Sequence, residues 1–185
     1  MLTIIIPQSE GFNEITSEFI TIPETHLNLE HSLISISKWE SKWHKAFLKD
    51  NNKTPEEMTD YIKCMTLNKN VDESIYNFLN HDHINKITKY MQDRQSAAYL
   101  NDAGEKLLSG RTKTGDVLTS DLIYYMMFSL KIPIECQKWH LNRLLILIHI
   151  FNIKNSAGKR SNNRSILSNN AAINASRRKK YNTRG

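Results

Sequence analysis

His26-Leu27-Asn28-Leu29-Glu30-His31-Ser32-Leu33-Ile34-Ser35-Ile36-Ser37-Lys38-Trp39-Glu40-Ser41-Lys42-Trp43 changes period part-way along. From His26 to Glu30 apolar and polar residues alternate, which puts Leu27 and Leu29 on one face of a strand. Beyond it Leu33, Ile36, Trp39, Trp43 and Phe47 fall at spacings of three and four. That spacing lines one face of a helix, with Ser32 placed to cap its start. A strand handing over to a helix near residue 31 sets the class as α+β.

Towards the N-terminus the reading stays β. Leu2-Thr3-Ile4-Ile5-Ile6 is β-branched and stops at Pro7, which has no N–H to give a sheet ladder. Glu18-Phe19-Ile20-Thr21-Ile22 stops in the same way at Pro23. Three short strands, joined by turns at Gly11/Asn13 and Pro23/Glu24, predict a small antiparallel sheet over residues 1–31.

Towards the C-terminus helices follow. Thr54-Pro55-Glu56-Glu57 has the form of a capping box with proline at the first helical position, and Met58, Tyr61, Ile62 and Met65 give the helix an apolar face. A helical turn is expected over residues 74–79. A further amphipathic helix after Asn80 carries Ile84, Ile87 and Met91. Residues 93–117, punctuated by Gly104, Gly110 and Gly115, read as a long loop with a short hairpin. The run Leu122-Ile123-Tyr124-Tyr125-Met126-Met127-Phe128-Ser129-Leu130, capped by Thr119 or Ser120, is apolar nearly all round and is expected to be buried. Pro133 breaks it. A last helix of the body is expected from about 134 to 151, with Cys136, Trp139, Leu144, Leu147 and Ile148 inward.

Charge divides the chain. The net charge is +6, yet from Lys154 onward there are nine Lys or Arg and no Asp or Glu, while residues 1–153 hold 16 basic and 19 acidic side chains. The reading is one domain over 1–153, β-rich to residue 31 and mainly helical from 32, followed by a basic arm over 154–185. The arm is too polar to fold alone. Ile166, Leu167, Ala171, Ile173 and Ala175 give it a thin stripe for a helix from about 161 to 180, which orders only on a partner. Its cations, Lys159, Arg160, Arg164, Arg177, Arg178, Lys179 and Lys180, are the candidate partner-binding residues. They suit an acidic partner, a protein surface or nucleic acid.

Reactive sites have weaker claims. Gly110-Arg111-Thr112-Lys113-Thr114-Gly115 has the frame of a phosphate loop, but Asp116 and Val117 stand where Lys and Ser or Thr are needed. His81 and His83 lack a nearby third metal ligand, and His140 and His149 do not share a helix face cleanly. Ser35-Ile36-Ser37-Lys38 fits a Ser-x-x-Lys pattern that is common by chance. Cys64 and Cys136 sit in no metal or redox spacing, and nothing beside Cys64 would lower its thiol pKa. Trp39 and Trp43, flanked by lysines, could stack bases, but a core-facing stripe is the simpler reading. No enzyme activity, metal or cofactor is expected. The apolar run over 144–153 is short of the roughly 20 residues a membrane span needs, and no signal peptide is visible. A soluble, cytoplasmic protein is the expectation.

Several stretches resemble a family of small proteins from tailed bacteriophages. They are residues 29–43 with Trp39-Glu40-Ser41-Lys42-Trp43, then Asp60-Tyr61-Ile62-Lys63-Cys64-Met65, then residues 134–145 with Lys138-Trp139-His140-Leu141-Asn142-Arg143-Leu144, and the ending Asn174-Ala175-Ser176-Arg177-Arg178-Lys179-Lys180-Tyr181-Asn182-Thr183-Arg184-Gly185. The resemblance is to tail-module proteins in the manner of tail assembly chaperones. It implies a non-enzymatic role in the host cytoplasm: binding the helical tape-measure protein and helping tail-tube subunits polymerise around it. It offers no catalytic residues to carry over. The β-rich start departs from the largely helical chaperones. It keeps open a stoichiometric virion subunit, such as a connector or a tail- or capsid-associated protein with an extended arm, self-associating or not. A nucleic-acid-binding accessory protein using the arm is the third reading.

Overall fold

The computed structural model describes residues 1–13, 18–49, 53–98, 100, 102–111, 116–157, 171, 174 and 178. It is α+β, with antiparallel pairing at the N-terminus and helices after it. The chain divides into two compact units, Met1–His149 and Ile150–Gly185.

Four strands form rather than three: β1 (Leu2–Ile6), β2 (Ser9–Asn13), β3 (Glu18–Ile22) and β4 (Thr25–Leu29). β1 pairs with β4 and β2 with β3, all antiparallel. The two ladders share one register, because the pairs Ile6↔Thr25 and Ser9↔Ile22 differ by three positions on each strand. They are therefore one ribbon, interrupted where Pro7-Gln8 faces Pro23-Glu24. Each proline removes a ladder donor. Ile4, Ile6, Leu27 and Leu29 are buried at the base of the ribbon. Further along the same side, Gln8, Glu10, Thr21 and Pro23 are exposed. The face that seals the core at the base stands in solvent towards the tip.

Helix α1 (Leu33–Trp43) starts where the change of period placed it, with the Ser32 hydroxyl accepting from the Ser35 N–H at 3.3 Å. Leu33, Ile36 and Trp39 are buried, and Phe47 joins them beyond the helix end. His44 ends α1 in the left-handed region, at φ 51°. Helix α2 (Pro55–Met65) opens with the full capping box at Thr54 and Glu57. A 3-10 turn at Glu73–Phe78 leads to α3 (His81–Gln92), which Asn80 and His83 cap reciprocally.

Three expectations are corrected here. The segment read as a long loop contains α4 (Asp102–Leu108), while Arg111 and Val117 form the antiparallel bridge of a hairpin base. Gly104 lies inside that helix because a Cβ there would stand 2.9 Å from the His149 imidazole, so only glycine lets the two elements approach. Helix α5 (Ser120–Ser129) buries Ile123 and Met127 but leaves Tyr125 67% and Phe128 66% exposed, so it is not sunk on all sides. The stretch expected as one helix from 134 is a 3-10 turn, Ile134–Lys138, then a break at Trp139–His140, then α6 (Leu141–Ala157). Trp139 lies in that break and is 37% exposed rather than inward. Leu141, Leu144, Leu145 and Ile148 of α6 are fully buried.

The Glu40 carboxylate ties α1 to α5. One oxygen accepts the Phe47 N–H at 2.8 Å, and the other accepts the Ser120 N–H at 2.8 Å and the Ser120 hydroxyl at 2.6 Å. The second oxygen also faces the positive end of the α5 dipole. E40A removes the acceptor from three donors, two of them on buried Ser120, and should destabilise the fold by about 2–4 kcal/mol in urea denaturation. E40Q keeps one acceptor oxygen and should lose roughly half as much. Equal, negligible losses from both variants would show that the knot is not stabilising.

Candidate functional site

Among the described residues, the motifs of the phage resemblance at 39–43 and 138–144 are braces inside the fold, while of its ending only Asn174 and Arg178 are described. In Trp39-Glu40-Ser41-Lys42-Trp43, the Trp39 indole N–H donates to the Glu57 carbonyl at 2.9 Å. Trp43 donates to the Asp60 carboxylate at 3.1 Å, and Lys42 pairs with the same carboxylate. The two indoles stack at 6.1 Å, with Trp39 buried and Trp43 half-buried. This matches the core-facing reading of the tryptophans better than a base-stacking platform. Glu57 is buried as well. Its carboxylate accepts from Lys45 at 2.5 Å and from the Thr54 N–H at 2.9 Å, and these partners hold it below the ordinary carboxylate range.

Lys138-Trp139-His140-Leu141-Asn142-Arg143-Leu144 closes the other side. The Asn142 amide donates to the Met91 carbonyl at 2.9 Å and the Asp93 carbonyl at 2.8 Å, serving the open C-terminus of α3. His140 Nε2 lies 3.0 Å from the Tyr90 carbonyl. The Arg143 guanidinium sits 4.5 Å over the Trp139 ring, a cation–π contact at the surface.

Between these braces runs a buried polar chain. Tyr90 donates to Glu30 at 2.6 Å, His140 meets both Tyr90 and His31 edge-on, and His31 Nδ1 lies 2.5 Å from the Tyr61 hydroxyl. Burial, with the neighbouring His140 adding to it, drives the His31 pKa down to about 3, and burial raises Tyr61 well above the usual phenol value. Neither group of that pair changes charge near pH 7. His31 also walls a cleft of about 650 Å³, shared with Phe47, Met58, Met91 and the Arg94–Glu105 ion pair. The cleft sets a neutral imidazole beside apolar side chains, with Lys53, Thr88, Ser109 and Asn142 also on its walls.

The other candidate residues serve the scaffold too. The Ser35 hydroxyl donates to the Glu30 carbonyl, and Lys38 lies exposed. His83 is used in the α3 cap, and His81 meets Asn85. Burial raises the Cys64 and Cys136 thiols, away from the thiolate. Among the described residues, no group of three His, Cys, Asp or Glu is placed to hold a metal, and no helix is long and apolar enough to cross a membrane. Residues 112–115 of the glycine-framed loop lie outside the described residues.

Two regions remain as candidate contact sites. One is the outer face of α5, where Tyr125 and Phe128 stand a turn apart in solvent, followed along the chain by Ile134 and Trp139, 40% and 37% exposed. Sequence reasoning missed it, because an all-apolar helix reads as buried. The other is the basic arm. Of its candidate cations, Arg178 is helical and exposed, in step with Ala171 and Asn174 at helical spacing. Lys159, Arg160, Arg164, Arg177, Lys179 and Lys180 lie outside the described residues. We found no family model, no curated protein and no solved structure that matches this chain.

The buried histidine predicts an acid-sensitive fold. An unfolded chain takes up a proton on His31 below the ordinary value of 6.5, whereas the folded chain resists until about pH 3. Stability is full above pH 6.5 and is lost as pH falls towards 3, with a slope from this group approaching about 1.4 kcal/mol per pH unit. H31Q, which keeps a partner for Tyr61, should flatten that slope by one proton in urea titrations between pH 7.5 and 4. An unchanged slope would mean that His31 is not the group responsible.

Proposed function

We propose that this chain is a non-enzymatic factor of bacteriophage tail morphogenesis that works through protein–protein contacts. The phage context rests on the resemblance. The observation that carries the contact role is the pair Tyr125 and Phe128, two large aromatic side chains held in solvent one helical turn apart. Exposed aromatic anchors of this kind are what protein interfaces bury at their centres. Their spacing on α5 makes a ridge that fits the groove of another helix, and the long helical tape-measure protein is the partner this reading names. Tail-tube protein is the second. Polar side chains in the reactive-site candidates support the same reading, since they are engaged in capping and bracing.

The ribbon favours a second reading, a stoichiometric virion subunit. A two-stranded ribbon with Glu10 and Thr21 exposed beyond its buried base is a device for reaching neighbours, and peptides of this chain at tail- or capsid-like stoichiometry in purified particles would support it over a transient chaperone.

Co-expression with the tape-measure protein of the same phage tests the leading reading. Y125S/F128S alters side chains that stand largely in solvent, so its melting temperature should stay close to that of the unaltered chain. Capture of the tape-measure protein should fall at least about tenfold, the loss expected when two anchors leave an interface. Capture at full strength by Y125S/F128S would contradict the proposed contact.

A further inference from the structure

We propose that the outer edge of β1 receives an extended acidic peptide segment of another protein, which adds a strand beside α3. The proposal is independent of the tail reading and rests on where the backbone of the ribbon base points. On the far side of the base the β4 edge is closed. The Asn28 carbonyl accepts the Leu67 N–H at 2.8 Å, while the Asn68 side chain accepts the Asn28 N–H at 2.7 Å and donates to the His26 carbonyl at 3.1 Å. Asn28 and His26 therefore turn their peptide groups away from β1. Thr3 stands opposite Asn28 in the ladder, and Ile5 opposite His26. In an antiparallel pair, both members of a non-hydrogen-bonded couple turn outward. The N–H and C=O groups of Thr3 and Ile5 thus point away from β4, along the outer edge of β1. Among the described residues no strand pairs with that edge, and both residues are exposed.

Proteins usually blunt such an edge with a lysine, a proline or a bulge. Leu2-Thr3-Ile4-Ile5-Ile6 has no charge and no proline, and its register with β4 runs without a bulge. Beside it lies a groove of about 680 Å³ walled by Leu2, Lys86, Lys89, Tyr90, Gln92 and Asp93. A strand laid along β1 takes up both N–H and both C=O groups, which is how strand addition gains affinity, while pockets for alternate side chains give selectivity. Residues opposite Thr3 and Ile5 fall on the outer face, next to Ile5, which is 51% exposed. Residues opposite Leu2 and Ile4 fall on the other face, where Leu2 shares the groove with α3. Lys86 and Lys89 are exposed there, and with Asp93 they leave one positive charge in excess, so acidic side chains suit these positions. A second copy of β1 is the poorer occupant. Antiparallel pairing of two such edges brings both α3 helices, each with its lysine pair, to one face of the joined sheet, and like charges meet.

Titration of the isotope-labelled full chain with the end-capped peptide Thr-Val-Glu-Val-Glu-Val-Thr, followed by amide chemical shifts, tests this at about 50 mM salt, where screening is weak. The same peptide with lysine in place of both glutamates is the comparison. Saturable shifts of the Thr3 and Ile5 amides are expected with the acidic peptide. The basic peptide should bind at least about tenfold more weakly, as expected when like charges meet. K86E/K89E, altered on the exposed face of α3, should reverse that preference. T3P removes an outward donor, leaves the backbone bonds to β4 in place and suits an edge strand. It should weaken the acidic peptide at least about tenfold. Circular dichroism checks both folds, and K86E/K89E carries the test if T3P does not fold. Absence of shifts at Thr3 and Ile5 with about 1 mM acidic peptide, equal binding of the two peptides, or a preference unchanged in K86E/K89E would overturn the proposal. So would shifts centred on α5, or a peptide-free dimer joined through β1, which would make a second copy the occupant.

Discussion

Leu29 to Ser32 leaves the sheet and runs through the interior, and a buried backbone must have its hydrogen bonds met. The Glu30 N–H donates to the Met65 carbonyl at 2.9 Å, and the His31 carbonyl accepts the Leu141 N–H at 2.7 Å. Leu29 bridges Thr66, and Ser32 bridges His140. The segment is thus held by the end of α2 on one side and the start of α6 on the other. These partners lie 35 or more positions away, so the strap forms only when the distant helices are in place. The side chains repeat the pattern, with Glu30 reaching Tyr90 and His31 reaching Tyr61.

This strap explains why the resemblance motifs turn out to be structural. Tyr61, Met65, His140 and Leu141 meet it directly. Trp39 and Glu40 hold α1, the helix the strap feeds, against α2 and the start of α5. A pattern of residue types that must be kept together to satisfy buried backbone need not mark a reaction. The surface proposed for tail-protein contact lies elsewhere, on α5, where Tyr125 and Phe128 face solvent instead of other side chains.

How much could be read from residues alone follows the range of the forces involved. Helix starts were legible at Ser32, Thr54, Asn80 and Thr119, because a cap is a contact within three or four residues. The ribbon base was legible from the β-branched residues ahead of Pro7 and the alternation ahead of Glu30. The strand Ser9-Glu10-Gly11-Phe12-Asn13 was not, since it lacks β-branched residues and forms by continuing its neighbour's register. Helix α4 was hidden by Gly104, whose missing side chain answers His149, 45 positions away. Glu40 and Ser120, 80 positions apart, left no local sign of meeting. The exposure of Tyr125 and Phe128 could not be inferred either, because hydropathy reports the residue and not what covers it.

Native-state hydrogen exchange on the free, full-length chain tests most directly whether the strap is what the fold depends on. The account predicts that the Glu30 and Leu141 amides exchange only through global unfolding, while the paired amides of β2 and β3 exchange through a much cheaper local opening. Exchange of Glu30 and Leu141 at the rate of the ribbon tip, with the helices still protected, would contradict it, because the interior would then hold without the strap.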